Sequence, residues 1–496
     1  MNAIRVCALL VLGIAAAIPA AGQSTRVDQL VAEGDTAFAH GDMREAEARY
    51  RQAVVADRAS YPARVALGRF AFENGDWAEA EDQFRAAIRL KPEELEARYY
   101  QAMVKREQGR HRPPLTGWLL DEFRDSRDLF EFILARDSTY RDVLFQYALL
   151  EQYRNDERAA MTRAAQQVRL KPDDPASIAG LFRMGRMYAS LRGTKQTDWL
   201  EPLTPEYAKL FRAEALRREG ALGESQQLLL EVLQGIGDVP RAAVHLLLAR
   251  VFAAGHHNEA AEVQFWSAVD AIATPSDAAL VFEEVKYVLN DEEIEDYESL
   301  RDAEDFRAFF RMVWARRDPM PAAASNARLV EHFRRLNLAE ESYEYFRPRT
   351  FFNDPDIHSA LAFGRIYTLN HNFNDKGLIF IRHGPPDARI FTSDEEGALN
   401  RALSQPMGPS GFDSGPRGLM EPLPTESWRY YQSGNSPELT FHFATKAGGN
   451  WRLIAAPMWL QALHDRREWG DVYAEAFQAM ANGEALEIPR LNMRMQ

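Results

Sequence analysis

Few residues in this chain stand at spacings that could do chemistry. His256 and His257 are adjacent, and two imidazoles on one turn hold a metal ion only when further ligands converge on them. The sequence places no such ligands at the usual spacing, so an exposed turn is expected. Asp291 to Asp305 is acidic but lacks the Asp-x-Asp-x-Asp-Gly rhythm of a calcium loop, which leaves a solvated helix face. Cys7 is the only cysteine. There is no Gly-x-Gly-x-x-Gly after a strand, no Walker loop, no His-Glu-x-x-His and no Gly-x-Ser-x-Gly. What remains as a catalytic candidate is Arg382-His383-Gly384, at the end of the apolar run Ile379-Phe380-Ile381. No cofactor and no metal are implied.

The chain that must position these residues has 496 residues, enough for two or more domains. Its 46% hydrophobic and 27% charged residues give an ordinary globular balance. With a net charge of −14 it has no broad electrostatic reason to bind nucleic acid or an anionic membrane. Residues 1–22 read as a signal peptide. Arg5 is the positive flank, Val6 to Ile18 an apolar run too short to span a bilayer comfortably, and Ala20 and Gly22 the small residues before cleavage at Gln23. Removal of the leader removes Cys7, so the mature chain has no disulfide, thiolate ligand or cysteine nucleophile. No later stretch is apolar enough to span a membrane. A periplasmic or secreted location is expected.

The strongest internal signal is a self-match at an offset of 34. Gly34 pairs with Gly68, Gly41-Asp42 with Gly75-Asp76, Ala46 with Ala80, Tyr50 with Phe84 and Ala53 with Ala87. Gly34 and Gly68 permit two helices to approach in a hairpin; Gly41-Asp42 and Gly75-Asp76 make the turn; Tyr50 and Phe84 fill the gap to the next unit. Segments 27–60 and 61–94 resemble the tetratricopeptide repeat family, whose period is about 34 residues. A third unit from Leu95 keeps a turn glycine at Gly109 and is then interrupted over Arg110 to Trp118. Pro92 and Pro172 are 80 residues apart, two periods plus twelve, which sizes the insertion. Helical hairpins are expected to continue to residue 275, with turns at Gly220 and Gly255. The resemblance implies a concave face for an extended peptide or helix. On the family's groove positions lie Arg69, Phe72, Tyr99, Arg106, Phe145 and Tyr153; the lysine–asparagine carboxylate clamp of some members is not matched.

Beyond a helical connector over 276–320 the pattern changes. Helices are expected at Ser299–Arg317 and Asn326–Glu341, then strands at Gly377–His383, Glu426–Gln432, Glu438–Thr445 and Asn450–Ala455. Leu439, Phe441 and Phe443 alternate with Thr440 and His442 as in a half-buried strand. The Gly-, Pro- and Ser-rich 392–425 reads as a flexible insertion. Trp314 to Pro319, Asp375 to Asp387 with its Gly384-Pro385-Pro386-Asp387 turn, Glu426 to Tyr431 and the Phe441/Phe443 strand together resemble the GWxTD domain, a family of uncharacterised bacterial domains often found in exported repeat proteins. The resemblance covers 299–456; His371-Asn372-Phe373-Asn374-Asp375 keeps only the last residue of the eponymous motif. Residues 457–496, with an amphipathic stretch from Met458 to Ala481, are read as a C-terminal helix and tail.

Arg382-His383-Gly384 is also similar to the Arg-His-Gly of histidine phosphatases. There a strand-end histidine takes the phosphoryl group and arginines hold its oxygens. That resemblance asks for a second histidine, His442 or His464, and a second arginine, Arg429 or Arg466. Only 113 residues follow His383, and an antiparallel meander is expected there rather than alternating strands and helices. The resulting expectation is a mainly α protein, a tetratricopeptide-like α-solenoid followed by a small α+β domain with an antiparallel sheet. Its expected role is an exported scaffold binding a protein or peptide, with a phosphatase-like hydrolase using His383, Arg382 and His442 as the alternative.

Overall fold

The repeat signal becomes structure through a few side chains used twice. A computed structural model describes residues 20–111, 122–235, 237–323, 325–345, 365–391, 425–431, 439–445 and 451–454. The first hairpin is α1 (Ala20–Ala39) and α2 (Met43–Ala56), the second α3 (Tyr61–Glu73) and α4 (Trp77–Leu90). A methyl group at Gly34 would stand 2.6 Å from the Tyr50 ring and one at Gly68 2.7 Å from Phe84, so only glycine lets each pair of helices close. Gly41 and Gly75 carry φ of 80° and 74° in the turns, and Asp76 caps α4 by accepting from the Glu79 amide at 3.1 Å. Tyr50 then meets Phe70 at 5.8 Å and Phe84 stacks on Tyr100 at 5.5 Å, which joins each hairpin to its successor.

The chain divides after Arg154 into two compact units. The first continues with α5 (Leu95–His111), α6 (Glu122–Leu134) and α7 (Val143–Tyr153). Its first-of-pair helices α1, α3, α5 and α7 pack side by side. Gly109, expected in a turn, lies inside α5, where it gives the Phe123 ring of α6 close access. The insertion therefore begins later than expected, and 112–121 is outside the described residues.

The second unit opens with α8 (Glu157–Leu170) and the long α9 (Pro175–Arg192). The expected hairpins at 205–235 and 241–274 are α10 (Pro205–Arg218) with α11 (Leu222–Gln234), and α12 (Arg241–Ala254) with α13 (Asn258–Asp270). Gly220 takes the left-handed turn conformation, φ 81°, but in the next hairpin His256 takes it at 60° in place of Gly255. Three helices follow, α14 (Pro275–Val285), α15 (Asp291–Ser299) and α16 (Ala303–Arg316), then α17 (Ala327–Tyr343). Asn290 and Thr274 cap α15 and α14 in reciprocal capping boxes. The acidic run 291–305 is thus the whole of α15 and the first turn of α16.

The segment expected as a strand at 377–383 is helical. Short α18 (Arg365–Leu369) precedes α19 (Asp375–His383), which starts from Asn374 accepting the Gly377 amide at 3.1 Å. An apolar run buried on every side is compatible with either element. Here Leu378, Ile379, Phe380 and Ile381 are all buried, and α19 packs on α17 and on the last strand. Strands β1 (Ala388–Phe391), β2 (Thr425–Tyr430), β3 (Leu439–Ala444) and β4 (Arg452–Ile454) form an antiparallel meander in that order. β1 was not expected. β3 is buried on both faces rather than half-buried: Phe441 and Phe443 pack on one side, while His442 Nδ1 on the other is hydrogen-bonded to the Ser427 hydroxyl at 2.8 Å. The expected signal peptide as far as residue 19, the bulk of the expected insertion 392–425 and the expected tail 457–496 lie outside the described residues. No described helix is long and apolar enough to cross a membrane.

Candidate partner-binding site

In the first unit the six groove candidates divide into surface and support. Arg69 is exposed on α3, its guanidinium 5.8 Å from the centre of the half-buried Tyr100 ring. Phe72, one turn along, meets the same ring at 6.4 Å. Tyr153 on α7 is half-buried, with the guanidinium of Arg110 5.3 Å and that of Arg106 6.0 Å from its ring. The other three lie beneath. Tyr99 is buried and donates its hydroxyl to Asp142. Arg106 is buried too, donating to the Gln146 carbonyl at 3.1 Å and its side-chain oxygen at 2.6 Å, and pairing with Glu107 at 2.8 Å. Phe145 is in the core. Tyr100 and Arg110 complete the surface set and were not singled out in the sequence. Tyr100 lies in the same aromatic pair as Tyr99, and only the fold tells which ring faces out.

The second unit holds a constellation that no sequence spacing indicated. Glu340 of α17 reaches four arginines of the repeat helices: Arg186 of α9 at 2.9 Å, Arg217 and Arg218 of α10 at 2.7 and 3.3 Å, and Arg250 of α12. Arg217 and Arg218 also hold Glu214 at 2.8 and 2.6 Å, while Arg186 pairs with Glu284 of α14. Glu344 pairs with Arg218 and accepts the Ser190 hydroxyl, both at 2.8 Å. Asn337 accepts from Arg217 at 3.3 Å and donates to the Arg250 carbonyl at 3.2 Å. Burial pushes the Glu340 carboxyl upward, but the fields of Arg217, Arg218, Arg250 and Arg186 outweigh it and hold it well below the usual carboxylate range. Glu214 behaves likewise, raised by burial and brought down to about 2 by Arg217 and Arg218.

A cleft of about 600 Å³, including its open mouth, adjoins this cluster. Its walls carry Phe182 of α9, Leu210 of α10 and Leu246 and Leu247 of α12; Arg183, Arg186 and Arg250 line it together with Glu214, Glu283 and Glu284.

The catalytic candidates are engaged separately. Arg382 donates to the Tyr287 and Leu289 carbonyls at 3.1 and 2.8 Å. Its own carbonyl, at the end of α19, accepts from Arg328 at 3.2 Å and Arg335 at 2.8 Å. His383 lies between the Tyr430 and Phe441 rings, 5.5 and 5.4 Å away. Burial, then Arg382, Arg335 and Arg328, lower its pKa to about 3. His442 projects from β3 on the face opposite Phe441 and is lowered to about 4 by burial. The strand end on which the phosphatase resemblance rests is a helix end here, and His464 and Arg466 lie outside the described residues.

Asp375, the residue left from the eponymous motif, has a constructional role. It accepts the Tyr367 hydroxyl at 2.6 Å, the Leu453 amide at 2.7 Å and Arg452 at 3.3 Å, so it ties α18 and β4 to the start of α19. Beside it, buried Lys376 pairs with Glu426 against the Trp451 ring. Burial lowers the lysine to about 8 against the opposing pull of Glu426. Among the described residues no three His, Cys, Asp or Glu side chains converge as a metal site.

Comparison with known proteins agrees with the first unit's architecture. The tetratricopeptide repeat profile matches residues 31–94 and 65–111, so this part of the chain carries such repeats. No curated protein sequence matches the chain. Among solved structures it is similar to PilF of Pseudomonas aeruginosa, at 16% identity over 49% of this chain and 90% of that one, with a TM-score of 0.31. PilW, described as a widely conserved type IV pilus biogenesis factor, gives 15% identity over 49% and 92%, with a TM-score of 0.29. YrrB, described as a tetratricopeptide repeat protein with an unusual peptide-binding site, gives 13% over 41% and 96%, with a TM-score of 0.28.

Proposed function

We propose that this protein is an exported interaction scaffold whose first unit binds a peptide or protein partner in the cell envelope. The observation that carries the reading is the strip on successive first-of-pair helices: exposed Arg69 with half-buried Phe72 and Tyr100, continued by Arg110 and Tyr153. Stacked repeats bury their own core and leave such a strip for a ligand. Large, rigid aromatic rings beside arginines are what a partner-binding surface uses to gain contact area at low entropic cost. The leader at 1–22 is the basis for export, and the GWxTD-like pattern over 299–456 fits the same setting, since that family often accompanies repeats in exported proteins.

The test is photo-crosslinking in the envelope with a reactive residue at Phe72 or Tyr153, and at exposed Val55 of α2 as control. A partner captured at 72 and 153 but not at 55 is the expected outcome; equal capture at all three, or at none, removes the groove reading. N-terminal sequencing of the exported chain is expected to start at Gln23.

A further inference from the structure

The second unit's cleft is the open half of a groove whose other half is already filled by α17. Leu336 and Glu340 stand one turn apart on α17 and both line the filled half, alongside Arg186, Arg218, Arg250 and Glu284. The groove thus recognises, within its own chain, an apolar side chain followed by a carboxylate. The open half repeats those elements. Phe182, Leu210, Leu246 and Leu247 form apolar walls, and Arg183, half-buried one turn before Arg186 on α9, makes no hydrogen bond among the described residues; it lies in the field of Glu283, which lines the cleft with Glu214 and Glu284. Arg250 lines both halves, and although it contacts Glu340 and stands 3.6 Å from Glu284, its Nε and Nη1 find no hydrogen-bond acceptor.

The charges leave room for one more anion. Six bases meet at this end, Arg183, Arg186, Arg217, Arg218, Arg250 and Lys286, against the five carboxylates Glu214, Glu283, Glu284, Glu340 and Glu344. In a partly desolvated setting an uncompensated positive charge is costly, and a ligand carboxylate relieves it.

We propose that this cleft is a second recognition site, taking a segment of a partner protein that presents an apolar side chain and a carboxylate one helical turn apart, end to end with α17. The apolar side chain enters between Phe182, Leu210, Leu246 and Leu247, and the carboxylate meets Arg183 and Arg186 at the mouth. The site rests on the scaffold reading above and gives it a second, chemically defined ligand.

The probe is a labelled peptide copying residues 329–344 of this chain, the segment whose Leu336 and Glu340 already meet the arginine cluster, titrated into the full chain, where the filled half stays occupied by α17. Saturable binding is expected by fluorescence anisotropy. A peptide with Gln at its positions 340 and 344 should bind at least tenfold more weakly. Ala179→Leu, which grows a half-buried lining residue into the cleft, should weaken binding by a similar factor with an unchanged far-UV circular dichroism spectrum. Arg183→Gln, at a residue with no hydrogen bond to lose, should weaken it at least threefold. Equal binding of the Gln peptide, equal binding by Ala179→Leu, or no saturable binding overturns the proposal. So does saturation by 4-methylpentanoate in the absence of any peptide binding, which would make the occupant a free acid. The crosslinking at Phe72 and Tyr153 reads the other unit, so its failure and the failure of this cleft are separate results.

Discussion

Glu340 brings one carboxylate to four guanidinium groups in the interior of the second unit, where a charge without a partner is strongly unfavourable. Glu340→Ala should therefore destabilise this unit by about 3–5 kcal/mol, the cost of breaking a buried ion pair, with Glu340→Gln falling between it and the native protein because an amide still accepts hydrogen bonds. Urea unfolding measures both, and a change under about 1 kcal/mol for alanine would show the cluster to be solvated after all. The buried imidazoles set a separate, pH-dependent quantity. His332, hydrogen-bonded to the Glu284 carbonyl at 2.8 Å, is held well below its usual range by burial and then by Arg328; His383 and His442 stand at about 3 and about 4. The unfolded chain protonates all three near pH 6.5 while the folded chain does not. Stability is then full above that pH and falls as acid is added, by up to about 4 kcal/mol per pH unit where three protons are taken up on unfolding. Glu340 and Glu214, with depressed values, contribute stability above about pH 4.3 and lose it only below. Unfolding midpoints between pH 7 and 4.5 should show this slope, and His442→Gln should remove about one proton from it.

At the scale of elements, Asp375 and Gly68 show two kinds of constraint. Asp375→Ala removes an acceptor shared by the Tyr367 hydroxyl, the Leu453 amide and Arg452, and should cost about 3–5 kcal/mol. Hydrogen exchange should rise first at 365–369 and 451–454, the segments it ties to α19. If those segments keep their protection, the clamp is redundant. Gly68→Ala forces a methyl group against Phe84, and overpacking of this kind costs about 1–3 kcal/mol despite the better helix propensity of alanine. The repeat helices were legible because their period is local: Gly34, Gly41, Tyr50 and their partners 34 residues on act within one hairpin. α19 was not, because Leu378 to Ile381 is apolar throughout and its neighbours α17 and β4, distant in sequence, choose between helix and strand. Gly109 misled for a related reason, since a glycine marks a turn and a close helix approach with the same residue.

At the scale of the molecule, the two units should respond to acid differently. The buried neutral histidines described here all belong to 155–496, whereas His40 in the first unit is exposed. Hydrogen exchange at pH 5 should therefore show loss of protection in the second unit first, with 27–111 retained; simultaneous loss would mean that one cooperative unit spans both. The sequence alone determined the phased hairpins and the three strands after residue 424, because each is written in contacts or compositions a few residues to one repeat long. It could not give the pairing of Glu340 with Arg186, Arg217 and Arg250, which lie 154, 123 and 90 residues away. Nor could it say which of Tyr99 and Tyr100 is buried and which faces outward. Arginine and glutamate are common on helix surfaces, so their types carry no information about partners. Only the packing of α17 against α12 and α13 brings Glu340 to these arginines.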